Sequence, residues 1–283
     1  MRLALLTGTD DLPTWLLAAL DRAVEGGGAE LSLVVRARDP PELSDGGHSE
    51  RSPLWSRSLR HLRTRPPLEF VEMALRFAFD RLGVLDPDPP SATRPLRTLD
   101  SLDPEGYIVC ETVPVTAHRV ALPGDVVDEV AARADVVLHH QVGILTGDVL
   151  TAPTYGVLGF HPGNLREHRG SHGGLWQLLG DEPTITMTLQ RYTETLDGGE
   201  IVVERHVDIE DATTWSAVRR RLYAAAEPML AEAVDRLLDT DTPPTRLPRE
   251  DLGEVHLLED RTVWVMLRYF LVRLERTVCA RWR

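Results

Sequence analysis

The sequence contains no lysine: all 31 of its cationic side chains are arginines, set against 44 aspartates and glutamates, and the formal net charge is -13. Such a bias fits a GC-rich genome or a mildly salt-adapted proteome, in which an acidic surface keeps proteins dissolved. Cations cluster only near the C-terminus. Because contact with a nucleic-acid backbone requires clustered cations, the composition argues against nucleic acid and favours a small-molecule partner.

Cysteines and long apolar runs are also scarce. Cys110 and Cys279 are too few for a disulfide framework and stand among apolar residues, which predicts a reduced, cytoplasmic protein. The apolar run at residues 1–8 is too short for a signal peptide or a membrane span. No G-x-G-x-x-G or P-loop motif follows it, and Asp10 and Asp11 would repel a pyrophosphate. Dinucleotide binding in that loop is therefore not expected.

What the chain does contain is an alternation of apolar runs and segments with helical periodicity. Residues 2–7 predict a strand, 11–24 a helix and 31–35 a second strand, so the chain opens as a β-α-β unit with parallel strands. This predicts a Rossmann-like α/β fold with a mostly parallel sheet flanked by helices. Further strands are expected at 107–110, 135–138, 156–158, 185–190 and 201–207, and further helices at 124–134, 144–150 and 213–238, the last kinked at Pro228 and capped near Asp211 and Thr213.

Between these regular parts, residues 38 to 106 are rich in Pro, Arg, Ser and Asp. This composition, with helical patterns at 54–62 and 68–82, predicts a helical insertion. It would interrupt a catalytic domain of residues 1–210.

A C-terminal helical extension is expected after that domain. We predict a packing helix at 211–240, then a Pro/Thr linker and a cationic, largely apolar helix within 241–283. The final helix suits packing on the surface of the domain, a homodimer contact or attachment to a membrane surface.

Two loops carry residues suited to acid–base chemistry. His161 follows the strand at 156–158 in a Pro/Gly/Asn loop, and Asp197 lies in an Asp-Gly-Gly turn. Ligands of open α/β sheets bind at the carboxyl ends of strands. An Asp within hydrogen-bond reach of a His fixes the imidazole tautomer and stabilises its cation. The two residues therefore predict a general acid–base pair.

An ordered series of motifs surrounds this pair, from residue 134 to residue 209. Its members are Asp135-Val136-Val137, Gly143-Ile144-Leu145, the strand end Gly156-Val157-Leu158-Gly159-Phe160-His161-Pro162, Arg169-Gly170, Trp176, Thr184-Ile185-Thr186 and Leu196-Asp197-Gly198-Gly199-Glu200-Ile201. In order and spacing the series resembles the formyltransferases that use 10-formyltetrahydrofolate, including the N-terminal domain of methionyl-tRNA formyltransferases.

The resemblance implies transfer of a formyl group from 10-formyltetrahydrofolate to a primary amine. It implies that His161 donates to the developing oxyanion or relays the amine proton, while Asp197 holds a water and keeps His161 cationic. It also implies a slot for the pterin ring of the donor, built largely from backbone groups. The residues of that slot are Gly143, Ile144, Leu145, Thr195 and Leu196.

One position departs from the family pattern. The family has an Asn two residues before the His, where this chain has Gly159. That Asn donates a hydrogen bond to the formyl oxygen, and losing an oxyanion donor costs about 3 to 4 kcal/mol of transition-state stabilisation. Either Asn164, His139 or His140 substitutes, or the protein is a weakened formyltransferase that binds its ligands without turnover.

Three acceptors fit the family: initiator methionyl-tRNA, a purine-pathway ribonucleotide, and an amino group on a nucleotide-linked sugar. The tRNA enzymes carry a basic barrel domain, whereas after Ile209 this chain predicts only helices and a linker. The purine enzyme ends soon after the Asp197 loop and lacks the insertion. The amino sugar is therefore expected by elimination. Candidate acceptor-binding residues are Asn164 and Arg169, the latter equally a loop residue paired with Glu167.

A second hypothesis is a metal-dependent hydrolase. His161, His168 and His172 could ligate a metal, the last two being four residues apart as helix-borne ligands often are. Arg169-Gly170 weakens any helix there, and no acidic or Cys ligand accompanies the three. We therefore expect no metal at this site.

Overall fold

The computed structural model describes residues 1–26, 28–38, 92–95, 106–116, 118–239, 241–257, 260 and 262–282. Its strands, in chain order, are β1 Arg2–Thr7, β2 Asp11–Pro13, β3 Glu30–Arg38, β4 Thr93–Pro95, β5 Tyr107–Glu111, β6 Val113–Pro114, β7 Arg119–Ala121, β8 Val136–His140, β9 Ile144–Leu145, β10 Val157–His161, β11 His168–Gly170, β12 Thr184–Arg191, β13 Glu200–Asp208, β14 Thr245–Arg246 and β15 Glu254–His256. Its helices are α1 Thr14–Glu25, α2 Gly124–Arg133, α3 Leu175–Leu179, α4 Trp215–Ala226, α5 Met229–Leu238 and α6 Val263–Trp282, with 3-10 turns at Asp148–Leu150 and Arg249–Asp251.

Eight of these strands form the central sheet, in the order β14-β13-β12-β10-β8-β1-β3-β5. The five strands from β10 to β5 run parallel, and β12, β13 and β14 add antiparallel strands at the other side. Strands such as β1 are apolar on both faces, as expected where helices cover a parallel sheet on both sides. The predicted Rossmann-like α/β fold is confirmed.

Helices pack on both faces because side chains alternate along each strand. Leu3 and Leu5 of β1 join a core with α1, α3, α4, α5 and α6. Ala4 and Leu6, which alternate with them along β1, point to the opposite side of the sheet and join a second core with α2. Hereafter the two sides of the sheet are called the α1 face and the α2 face.

The prediction of a helix at residues 144–150 is wrong. Ile144 and Leu145 form the short strand β9, and only Asp148–Leu150 makes a single 3-10 turn. Gly143 and Gly147 have φ values of 81° and 84°. A right-handed helix cannot pass through this left-handed backbone, so the glycines on either side limit the segment to an extended piece.

The long helix expected at 213–238 is divided into α4 and α5 at Pro228, which has no N–H to continue the ladder. The expected cap is also corrected: neither Asp211 nor Thr213 but Thr214 caps α4, accepting from the backbone N–H of Ala217.

The segment expected as a linker contributes strands of its own. β14 extends the central sheet beside β13, and β15 pairs in parallel with β11. The helix α6 then packs on the α1 face, where Tyr269 is fully buried and its hydroxyl accepts from the N–H of Trp215 at 3.2 Å. No helix within the described ranges is long and apolar enough to cross a membrane.

The insertion helices expected at 54–62 and 68–82 lie outside the described residues. Of the segment from 38 to 106, β4 is described, and it pairs with β2. The domain boundaries at residues 210 and 240 stay predictions.

Candidate active site

The site predicted from the sequence lies on the α2 face, over β8, β10 and β12. Alternation along β10 places Val157, Gly159 and His161 on this face, and Val157 packs in the core with α2. The loop that joins β12 to β13, residues 192–199, folds over the same face and brings Asp197 to His161. Two segments 36 residues apart in the chain thus meet over one strand.

The imidazole of His161 lies between two oxygen atoms. Its Nδ1 is 3.5 Å from Oδ1 of Asp197, and its Nε2 is 3.1 Å from the carbonyl oxygen of His168. Both neighbours only accept hydrogen bonds, so the ring can donate to both only when it is doubly protonated. The ring is 6% exposed, and a Cβ at Gly163 would lie 2.7 Å from Nε2. A glycine in the loop after β10 therefore leaves room for the ring.

Asp197 is held by more than His161. Its Oδ2 accepts from the N–H of Gly170 at 2.8 Å, and its Oδ1 accepts from the side-chain amide of Gln190 at 2.9 Å. Its backbone has a φ of 43°, in the left-handed region that Asp tolerates better than most residues. These contacts fix the carboxylate before any ligand arrives.

A pocket opens beside this carboxylate. One wall is the segment before and along β9, and the other is the loop after β12. His161 is not part of the lining; it reaches the pocket through Asp197. The residues that line the pocket are Gly143, Ile144, Leu145, Tyr192, Thr193, Thr195, Leu196 and Asp197. All five residues expected in the pterin slot are among them.

The β9 wall presents backbone groups along the open edge of a small sheet with the order β6-β7-β9. The N–H of Ile144 donates to the carbonyl of His118 at 3.3 Å, and the N–H of Thr146 donates to that of Val120 at 3.0 Å. Because backbone groups alternate in direction along a strand, the N–H and C=O of Leu145 point away from β7. They offer one donor and one acceptor at the strand edge.

Glu194, which the sequence analysis missed, joins the two walls. Its carboxylate accepts from the Thr146 hydroxyl and from the N–H of Gly147 at 3.0 Å, and Arg119 lies beside it. The Thr146 hydroxyl, then the Gly147 N–H, hold the pKa of Glu194 below its ordinary value. In the sequence, the only indication of this role was that Glu194 is an acidic residue three positions before Asp197.

Tyr192 was missed as well. Its Oη lies 3.2 Å from Nδ1 of His139, and a Cβ at Gly159 would lie 1.9 Å from the same oxygen. Burial raises the pKa of Tyr192, and the negative charge of Asp197 raises it further. Burial lowers the pKa of His139 to about 4, with a smaller contribution from His140, and burial also lowers the pKa of His140 to about 4.

The two expected acceptor-binding residues lie outside the pocket lining. Oδ1 of Asn164 accepts from the N–H of Arg166 at 3.1 Å and so closes its own turn. Arg169 donates through Nε to the carbonyl of Gly253 at 2.8 Å and through Nη1 to that of Leu196 at 3.0 Å. Rather than pairing with Glu167, it ties the pocket loop to the segment before β15.

The three histidines of the metal hypothesis serve different contacts. The His168 ring lies 3.1 Å from Nε2 of His256 and 3.2 Å from Oε1 of Glu182, and His161 contacts the His168 carbonyl. The His172 ring instead lies beside Trp215, with 6.1 Å between the ring centroids. Over the ranges that the structure describes, no three His, Cys, Asp or Glu side chains are grouped as a metal site would require.

Residues 99–234 match the family model described as formyl transferase. The resemblance carried by the motif series is thereby confirmed.

Among curated proteins, the chain is similar to methionyl-tRNA formyltransferases. It is 28% identical to that of Thermotoga neapolitana over 46% of this chain and 37% of the relative, and 24% identical to that of Bacillus subtilis over 61% and 55%. It is also 30% identical to the bifunctional polymyxin resistance protein ArnA of Wigglesworthia glossinidia brevipalpis, over 44% of this chain and 18% of that protein. The chain thus spans between about a third and a half of the length of the methionyl-tRNA formyltransferases that it matches.

Solved structures share the fold at low sequence identity. An N-formyltransferase from Helicobacter canadensis, in complex with folinic acid and dTDP-3-aminofucose, has a TM-score of 0.51 at 9% identity over 96% of this chain and 80% of that one. A sugar N-formyltransferase from Shewanella has a TM-score of 0.50 at 12% identity over 97% and 88%. At these identities the likeness establishes the architecture alone.

Proposed function

We propose that the protein transfers a formyl group from 10-formyltetrahydrofolate to the primary amine of a small metabolite, in the cytoplasm, with a nucleotide-linked amino sugar as the first acceptor to test. The observation that carries the proposal is the position of Asp197. Its carboxylate lines the pocket and also lies 3.5 Å from the His161 ring. Asp197 can therefore contact a ligand in the pocket and the His161 imidazole at the same time.

Formyl transfer requires a proton to leave the attacking amine as its nitrogen bonds to the formyl carbon and the tetrahydrofolate nitrogen departs. Asp197 is at the pocket wall, where it can accept that proton or hold the water that carries it. His161 is beside it, with Nε2 fixed by the His168 carbonyl. The contacts of Asp197 with Gly170 and Gln190 keep the carboxylate oriented during the transfer.

The pocket suits the donor because its β9 wall is a strand edge. The N–H and C=O of Leu145 form a donor–acceptor pair, which is what the edge of a planar pterin requires. The facing loop adds the side chains of Thr195 and Leu196. Apolar walls with a few fixed polar groups are typical of sites that bind small heterocycles.

The choice of acceptor rests on the charge of the chain and on its structural neighbours. The net charge of -13 opposes an extended tRNA contact. The Helicobacter canadensis neighbour holds an amino-sugar nucleotide, dTDP-3-aminofucose. Because the curated relatives are methionyl-tRNA formyltransferases, initiator methionyl-tRNA remains an arm of the test.

The test supplies 10-formyltetrahydrofolate with amino-sugar nucleotides, a purine-pathway ribonucleotide or initiator methionyl-tRNA, and follows the release of tetrahydrofolate. We expect turnover with an amino-sugar nucleotide, and a loss of about 100-fold or more in kcat for Asp197→Asn and for His161→Asn. Asp241→Asn, an exposed carboxylate elsewhere, is the matched control.

Absence of turnover with every acceptor would overturn the proposal. Binding of folinic acid without turnover would then support the alternative of a binding protein. Bound metal in elemental analysis, lost together with activity on chelation, would support the hydrolase.

We further propose that α6 pairs with a second copy of the chain. Its exposed apolar side chains, among those described, are Trp264, Phe270, Leu271, Leu274 and Val278. Trp264, Leu271 and Val278 have the seven-residue spacing of a helix–helix seam, and Leu274 lies three residues after Leu271. Two of its arginines bond back to the protein instead: Arg268 donates to the Leu179 carbonyl and Arg276 to Asp181. A helix that attaches to an anionic membrane would direct these cations outward, so a second copy is favoured over a membrane surface.

A further inference from the structure

The side chain of Tyr192 crosses a whole strand of the sheet. Tyr192 directly follows β12, and its N–H donates to the carbonyl of Val157 in β10 at 2.8 Å. Its hydroxyl reaches His139, which belongs to β8, the strand on the other side of β10. Between them lies Gly159, the one position of β10 over which the ring must pass.

The position of the Tyr192 ring therefore requires a glycine at residue 159. A Cβ at position 159 would lie 1.9 Å from Oη, 2.2 Å from Cζ and 2.6 Å from Cε1 of Tyr192, and no ordinary side chain tolerates these distances. The φ of Gly159 is one that any residue can adopt, so the backbone does not require a glycine here. A glycine is needed because a side chain would occupy the space of the Tyr192 ring. The space beside Gly159, where the family has an Asn side chain, is thus filled by the hydroxyl of Tyr192 from the loop after β12.

The hydroxyl of Tyr192 retains its proton at neutral pH, because burial and the charge of Asp197 both raise its pKa. Tyr192 lines the pocket together with Asp197. A hydroxyl in this position can donate a hydrogen bond to a ligand oxygen, provided that its proton is not already given to His139.

The surroundings of His139 leave that proton free. Nε2 of His139 is buried and has no partner among the described residues. Buried N–H groups without an acceptor are rarer than buried acceptors without a donor. We therefore assign the proton of the neutral ring to Nδ1, whose N–H then donates a hydrogen bond to Oη of Tyr192 at 3.2 Å. Tyr192 accepts from His139 and keeps its own proton to donate toward the pocket.

We propose that Tyr192 donates a hydrogen bond to the formyl oxygen and stabilises the oxyanion that develops as the amine attacks, with His139 as its positioning residue. The proposal rests on the formyl transfer proposed above. The new C–N bond forms and the bond to the tetrahydrofolate nitrogen breaks. The proton lost by the amine passes by way of Asp197 to that departing nitrogen, and the phenol retains its own proton throughout. The Tyr192 hydroxyl, from the loop after β12, would then take the place of the amide that the family has at position 159.

The test compares Tyr192→Phe, which keeps the ring over Gly159, with Tyr107→Phe, a matched control on the far edge strand β5. We expect Tyr192→Phe to lower kcat by about 100- to 1000-fold, the range for loss of one oxyanion donor, with folinic acid affinity changed by less than about threefold. Thermal unfolding of each variant checks the fold.

A second experiment restores the amide side chain that the family has at position 159. Tyr192→Ala clears the space, and Gly159→Asn together with Tyr192→Ala should recover at least about tenfold of the kcat lost in Tyr192→Ala alone. Gly159→Asn alone should lose both stability and activity, because its side chain collides with the ring.

The outcomes separate the two proposals. If the wild type releases tetrahydrofolate and Tyr192→Phe has wild-type kcat, the role of Tyr192 is wrong while formyl transfer stands. If the wild type has no turnover with any acceptor, formyl transfer fails, and the role of Tyr192 fails with it.

Discussion

The carboxylate of Glu194 accepts a hydrogen bond from the backbone N–H of Gly147, 3.0 Å away, and in doing so fastens the loop after β12 to the turn after β9. The two segments are the opposite walls of the pocket. The width of the slot between them therefore depends on the exposed side chain of Glu194, which contacts neither His161 nor Asp197 in any described hydrogen bond.

Replacing Glu194 by Gln should weaken ligand binding without removing the chemistry. The amide loses the charge-assisted bonds from Thr146 and Gly147, so the slot is less well ordered before the ligand arrives. We expect folinic acid to bind about three- to tenfold more weakly by calorimetry, with kcat little changed at saturation. Glu129→Gln, on the exposed side of α2, should leave the affinity unaltered; an equal loss there would show a nonspecific charge effect.

Stability should fall as the pH drops below neutrality. His139 and His140 have pKa values of about 4 in the folded protein, against an ordinary 6.5. The unfolded chain thus takes up protons first, so the stabilisation is complete above pH 6.5 and is lost as the pH falls toward 4. Each residue should account for on the order of 1 to 2 kcal/mol between pH 7 and pH 5.

Urea unfolding at pH 7 and pH 5 measures this difference. His140→Phe should reduce it by about one histidine's share, whereas His118→Phe, at an exposed position, should not. A stability that is constant across this pH range would show that neither ring is held neutral.

Arg169 tests whether a cation near the site binds the acceptor or supports the loop. Arg169→Lys cannot reproduce both bonds, to Gly253 and to Leu196, and we expect a loss of about 1 to 3 kcal/mol in the free energy of unfolding. Folinic acid affinity should fall as well. A raised acceptor KM with unchanged stability would instead favour acceptor binding. Arg220→Lys, exposed on α4, serves as the control.

The exposed seam of α6 predicts a dimer. Leu271→Gln together with Leu274→Gln should shift the chain to a monomer in sedimentation equilibrium, because two apolar contacts are lost from each copy. Glu275→Gln, beside the seam, should sediment as the wild type does. A wild-type monomer that associates with anionic vesicles would support the membrane surface instead.

The sequence was sufficient to predict the α/β fold, because apolar periodicity and an ordered motif series report directly on strands that are buried on both faces. It was also sufficient to predict that His161 and Asp197, which lie in motifs, would be neighbours. It missed Tyr192 and Glu194, whose contacts join residues 53 and 48 positions apart. Nothing in a single sequence says which side chain will cross a strand at a glycine.

The same limit explains the error at residues 144–150. Ile144, Leu145, Val149 and Leu150 have helix-compatible spacing, and the two positive-φ glycines that prevent a helix become evident only when β9 pairs with β7. Local patterns selected Ile144 and Leu145, which line the pocket, while assigning them the wrong secondary structure.

The pairing of β15 with β11 affects how this protein can be divided for study. Gly170, whose N–H holds Asp197, is the last residue of β11, and the next N–H along the chain, that of Ser171, donates to the His256 carbonyl at 2.7 Å. An expression fragment cut at residue 234, where the family match ends, would retain every motif residue and lose the strand that supports the aspartate. Inactivity of such a fragment would therefore reflect the loss of β15, which supports β11 and through it Asp197, and not the loss of a motif residue.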